Sequence, residues 1–156
     1  MINEVLGGQR IAVTGATGFV GTAVVERLLR AVPGCEVVIL VRPGRRASAA
    51  DRARREIVRN DAFKRLREER GASFEDEITR RLHVVAADVA VDGLGLDDRG
   101  RALLGGCDTV IHSAASVSFD SPLDTAVEVN LLGPTRMATA LHDLGSSAHL
   151  VAISTA

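Results

Sequence analysis

The 156 residues contain no tryptophan and no tyrosine, four phenylalanines and a single lysine, Lys64. So few planar side chains leave little with which to stack exposed bases, which argues against a nucleic-acid-binding role. Cysteine is scarce too: Cys35 and Cys107 stand far apart, in no metal or redox spacing. A disulfide scaffold is therefore not indicated, and both read as reduced, packed thiols. His83, His112, His142 and His149 are dispersed, so no metal site is expected. No apolar run is long enough to cross a bilayer, and the first residues lack the basic-then-apolar layout of a secretory signal. Membrane association is not indicated, and a cytoplasmic location is the expectation.

What is present is ordinary for a soluble domain: 46% hydrophobic and 25% charged residues, enough to bury one core. The net charge is −1, yet residues 42–81 hold 13 of the 19 basic groups and 8 of the 20 acidic ones. A solvated helical stretch of mixed charge accounts for most of that imbalance.

The most informative stretch is the apolar run Ile11-Ala12-Val13 leading into Thr14-Gly15-Ala16-Thr17-Gly18-Phe19-Val20-Gly21. It reads as a strand handing over to a phosphate-binding helix. In such a turn the first glycine permits a tight bend, the second lets backbone approach a pyrophosphate, and the third lets helix and strand pack closely. The free N–H groups of the helix start then face the anion. The spacing is G-x-x-G-x-x-G rather than G-x-G-x-x-G, and glycine triplets also arise from turn geometry alone.

The rest of the chain repeats the strand-helix alternation. Val20, Val24 and Leu28 predict a helix over 19–31 that stops at Pro33-Gly34, and Val37 to Val41 a strand covered on both faces. Residues 50–70, with Ile57, Val58, Ala62, Phe63 and Leu66 near one face, predict an amphipathic helix, followed by a shorter one at 74–81. Further strands are expected at Leu82 to Ala87, Thr109 to His112 and His149 to Ser154, with helices near 98–104 and 122–144. Right-handed crossovers then give an α/β, Rossmann-like, doubly wound parallel sheet ordered 3-2-1-4-5, with ligands at the carboxyl ends of strands 1 and 4. The apolar run Leu150-Val151-Ala152-Ile153 would leave an uncovered edge.

After the second strand of a dinucleotide fold, a carboxylate holds the ribose 2′-hydroxyl, whereas arginine accommodates a 2′-phosphate. Here the strand ends in Val41-Arg42, with Arg45 and Arg46 close behind. Guanidinium pairs with phosphate through charge-assisted hydrogen bonds, so NADPH is favoured over NADH, with Arg42 better placed than its neighbours at the strand tip.

Several segments together resemble the extended short-chain dehydrogenase/reductase superfamily, and specifically fatty acyl-CoA reductases and related thioester reductase domains. Thr14 to Gly21 is similar to that family's cofactor loop, Leu40-Val41-Arg42-Pro43 to its second strand, and Ala87-Asp88-Val89 with Leu94-Gly95-Leu96 to its adenine-contact turn. The segment from His112 to Asp120, HSAASVSFD, carries the most specific likeness. The resemblance implies one incomplete NADP-binding domain over 1–156, with a helical insertion at about 47–81. It also implies NADPH-dependent reduction of a long-chain acyl-CoA or acyl-carrier thioester to aldehyde or alcohol. Gly15, Gly18 and Gly21 would admit the pyrophosphate, lined by Thr17, Phe19 and Val20; Arg42 with Arg45 or Arg46 would take the 2′-phosphate. Asp88 and Val89 would flank adenine, and Ser113, Ala114 and Ala115 would face the nicotinamide ribose. Asp88 also suits a turn cap, and small residues at 113–115 also suit close packing.

By the same resemblance Asn130 holds a water of a proton relay through its backbone carbonyl. Pro134 has no N–H for that carbonyl, so the acceptor would be freed and the helix kinked. Thr155 would bind the substrate carbonyl oxygen. The superfamily's proton donor, a tyrosine with a lysine four residues on, is missing from these residues. The expectation is an amino-terminal part that ends after the fifth strand and does not turn over alone. Two other readings stay open: an extended dehydrogenase or epimerase acting on a sugar nucleotide or steroid, and a non-catalytic NADP-sensing module.

Overall fold

The computed structural model describes residues 2–118, 120 and 122–154. A short helix, α1 (Ile2–Val5), precedes β1 (Arg10–Thr14), α2 (Phe19–Ala31) and β2 (Glu36–Val41). On β1, Ile11 and Val13 enter one core while Ala12 enters the other, and on β2 Val37, Ile39 and Val41 oppose Val38 and Leu40 in the same way. Both faces are covered, which is why neither strand alternates in polarity.

α2 covers one face with Val25, Leu28 and Leu29. The buried stripe is turned slightly from the predicted one: Val20 is 47% exposed, and Gly21 takes its place against the sheet. The helix ends at Val32, before Pro33 and the left-handed Gly34. Its carboxyl end is closed from far along the chain. Arg81, itself buried, donates from Nη1 to the Leu29 carbonyl, from Nη2 to that of Val32 and from Nε to that of Cys35, at 2.7 to 2.8 Å. Its remaining contacts are Glu77 and the Cys35 thiol.

The amphipathic stretch is not the single helix its periodicity suggests. α3 (Ala49–Ala53) widens into a π turn over Arg54–Val58 and stops. Asn60 then turns extended and accepts the Ala62 N–H, opening a 3₁₀ turn that leads into α4 (Lys64–Arg70). The break lets Ile57, Phe63 and Leu66 all reach the core, whereas Ala62 is exposed. A side-chain cap beats continued helix where the chain must turn back onto the sheet. α5 (Phe74–Arg81) follows and runs directly into β3 (Leu82–Ala86).

The second half adds α6 (Asp98–Gly105), capped by Asp97 on the Gly100 N–H, then β4 (Thr109–His112), α7 (Leu123–Ala126), α8 (Leu132–Asp143) and β5 (His149–Ala152). A wide π turn, Val127–Leu131, joins α7 to α8. Pro134 sits just beyond it; proline has no N–H for the Asn130 carbonyl, and its ring would collide with that carbonyl in a regular helix. The wide turn stands directly before the position at which a kink was expected. The sheet is parallel throughout and ordered β3-β2-β1-β4-β5. β5 ends at Ala152, two residues short of the predicted limit, and is largely exposed.

Candidate dinucleotide site

A cleft of about 420 Å³ opens at the carboxyl ends of β1, β2 and β4. The turn from β1 into α2 forms its floor. Gly15 has φ +66°, and a Cβ there would lie 2.6 Å from the Ser113 carbonyl group. At Gly21 a Cβ would lie 2.2 Å from the Gly15 carbonyl oxygen. These two glycines are packing necessities: one lets β1 meet the turn after β4, the other seats the helix on the loop. Gly18 differs, because a Cβ there would approach only the Gly15 oxygen, at 3.3 Å, on the open side of the loop. It is also the N-cap of α2, and no side chain caps the helix start. The first helical bond runs from Thr22 N–H to the Gly18 carbonyl, so the N–H groups before it have no intrahelical acceptor. Thr22 turns its hydroxyl inward to the Ala16 carbonyl, fixing the loop.

Thr14 ties the two halves together. Its Oγ1 accepts the N–H groups of Ser113 and Ala114, both at 3.2 Å, so its own hydrogen is donated to Nδ1 of His112 at 3.1 Å. That arrangement makes His112 neutral and protonated on Nε2. Nε2 is buried and has no hydrogen-bond partner among the described residues. Burial pushes the His112 pKa below its ordinary value. Because the unfolded chain takes up the proton first, stability contributed by the neutral ring is complete above about pH 6.5 and falls as the pH drops toward the folded-state value. Urea unfolding at pH 8 and pH 5.5 should show a larger loss of midpoint for the wild type than for His112→Asn. Equal losses would refute the assignment.

The structure brings Gly15, Thr17, Gly18, Arg42, Asp88, Val89, Ser113, Ala114 and Ala115 around the cleft. Gly21 lies beneath it. Phe19 is 95% exposed and its side chain does not line the cleft, and neither does that of Val20, so these positions offer backbone N–H groups only. Arg45 and Arg46 are exposed in the loop beyond and do not line it either. Asp88 does two things at once: it borders the cleft, and its Oδ1 accepts the Ala90 N–H to close a turn. That turn is held by the Leu94 carbonyl, which accepts the Asp88 N–H. Leu94 itself is fully buried at φ +60°, between the left-handed Gly93 and Gly95. Asn130 clamps the far wall, its side-chain amide both accepting from the Ser116 N–H and donating to the Ser116 carbonyl. Thr155 and Phe119 lie outside the described residues.

Sequence reasoning missed Arg52. It lines the cleft beside Arg42, and its Nη1 donates to the Arg42 carbonyl. A signal for it existed: Ser48 and Asp51 form a capping box, and a helix starting at 49 places residue 52 back over the strand tip. Ser116, Thr125 and Val129 complete the rim; nothing in the sequence marked the last two.

The Male sterility protein family model of NAD-binding domains matches residues 13–156. The chain belongs to that family. This male sterility-type domain is 32% identical over 158 aligned positions to fatty acyl-CoA reductase 1 of Gallus gallus, covering 99% of the chain and 29% of that protein. It is 33% identical over 134 positions to fatty acyl-CoA reductase 1 of Arabidopsis thaliana, covering 83% of the chain and 27% of the relative. Among solved structures it is similar to the terminal R domain of the myxalamid PKS-NRPS pathway, with a TM-score of 0.68, 25% identity, and coverage of 96% of the chain and 35% of that domain. The reductase domain of a non-ribosomal peptide synthetase from Mycobacterium tuberculosis gives 0.65, 27%, 99% and 36%. The domain thus spans under a third of these curated relatives. Among its described residues no helix is long and apolar enough to cross a membrane.

Proposed function

We propose that the cleft binds NADPH and that the protein containing this domain reduces a long-chain acyl thioester, carried on coenzyme A or on a carrier protein, to an aldehyde or alcohol. One observation carries the cofactor half: an uncapped helix start with an open glycine at Gly18 lies in the same cleft as two guanidinium-bearing residues, Arg42 and Arg52. The first suits a diphosphate and the second a further phosphate on the adenosine ribose. The substrate half rests on the likeness to fatty acyl-CoA reductases and thioester reductase domains.

Bound there, NADPH would supply the hydride. The backbone N–H groups of Phe19 and Val20, reached past Gly18, would hold the diphosphate, and Arg42 with Arg52, rather than Arg45 or Arg46, the 2′-phosphate. Asp88 and Val89 would border the adenine, and Ser113 to Ala115 the nicotinamide ribose, on a wall that Thr14 and Asn130 keep in place. Thr155 is assigned to the substrate carbonyl oxygen and the Asn130 carbonyl to a relay water. The proton donor is no tyrosine of these residues, which have none. In solution, a cytoplasmic setting is part of the proposal.

Calorimetry on the full chain should detect NADPH, and Arg42→Ala combined with Arg52→Ala should weaken it by about tenfold to a hundredfold while leaving NADH unchanged. Hydride transfer to palmitoyl-CoA by the whole protein that contains this domain, followed at 340 nm, tests the substrate. Heat with neither coenzyme defeats the proposal; binding without turnover of any thioester leaves a sensing module in its place.

A further inference from the structure

Arg52 is not free to wander. Its Nε and Nη2 form a fork onto Glu56, at 3.1 Å to Oε1 and 2.8 Å to Oε2, while Nη1 reaches the Arg42 carbonyl. A guanidinium carries five N–H donors. Three are committed, so one remains on each terminal nitrogen for a phosphate. Glu56 is held in turn: Arg55 donates from Nη2 to Oε1 at 2.6 Å, and both Arg52 and Glu56 are partly buried, in the capped α3 and the π turn that follows it. The Arg52 guanidinium holds the Glu56 carboxyl below the usual carboxylate range, so the pair stays ionised at neutral pH.

We propose that Glu56 is a positioning residue for Arg52, and that through it the domain discriminates a 2′-phosphorylated adenosine from an unphosphorylated one. This rests on the placement of the 2′-phosphate at Arg42 and Arg52. The charges agree with it: Arg52, Arg55 and Glu56 sum to one positive charge, and Arg42 adds a second, so an anion still meets a positive rim. What Glu56 contributes is orientation, since an arginine fixed before the ligand arrives loses less side-chain freedom on binding.

The test uses the full chain and two probes that need no turnover, adenosine 2′,5′-bisphosphate and 5′-AMP, titrated by calorimetry. Glu56→Ala should weaken the bisphosphate by about tenfold and leave 5′-AMP unchanged. Glu56→Gln, which keeps one acceptor oxygen and the side-chain shape, should recover part of the loss. In an Arg52→Ala background the Glu56→Ala change should have no further effect, because it acts only through the arginine. If Arg52→Ala weakens the bisphosphate but Glu56→Ala does not, or tightens it, Glu56 is no positioning residue. If Arg52→Ala itself changes nothing, the placement of the 2′-phosphate is wrong and this inference falls with it.

Discussion

Arg81→Met should cost about 3–5 kcal/mol of stability. The substitution preserves apolar bulk but leaves the carbonyls of Leu29, Val32 and Cys35 without the guanidinium that now serves all three. Each buried acceptor stripped of its partner costs about 1–3 kcal/mol. Glu77, which faces Arg81 from one helical turn earlier, would lose that partner as well. A domain of this size has about 5–15 kcal/mol in total, so the variant should sit near the edge of folding. Arg81→Lys should retain some of the loss, since one ammonium cannot reach three carbonyls arranged around a plane. Guanidinium unfolding reads both variants, and a midpoint shift worth under 1 kcal/mol for Arg81→Met would show that the cap is incidental.

Gly18→Ala and Gly21→Ala should fail in opposite ways. Gly18 has φ −87° and ψ 171°, a conformation open to any residue, and the added methyl meets only one backbone oxygen. That variant should fold with a melting temperature within a few degrees of the wild type, yet lose NADPH affinity by about a hundredfold or more, because the methyl fills the approach of a diphosphate to the loop. Gly21→Ala drives a methyl into the backbone of Gly15 and Ala16, so it should lower the melting temperature outright. Thermal unfolding beside calorimetry separates the two. A Gly18→Ala protein that still binds NADPH normally would remove the diphosphate from this loop.

The order of elements, the sheet and the ends of α2 and β4 were legible because their signals are local: an unbroken β-branched run, a glycine turn, Pro33-Gly34 as a stop. The break at Arg59–Asn60 was not, because helical periodicity continues across it and only the need to bury Ile57, Phe63 and Leu66 together forces the turn. The same distinction runs through the site. Arg42 and Ser113 could be placed from their positions at strand tips, and Asp88 from the family resemblance, whereas Arg52 and Thr125 reach the cleft from helices whose starts depend on packing. Of the three arginines after β2, Arg42 was already the better placed in sequence, but Arg45 and Arg46 could not be dismissed; beyond the strand tip the loop turns away, with the Gly44 N–H bonded to the Ala47 carbonyl.

β1 lies between β2 and β4, and its partners along β4 are nearly a hundred positions later in the chain. During synthesis on the ribosome the glycine loop therefore emerges early and waits: its wall at Ser113 and Ala114 is not yet made. Pairing so distant is slow to find. Until residue 114 has cleared the exit tunnel, nascent protein has no finished pocket for a ligand to rescue, so stabilisation by ligand can begin only after that point.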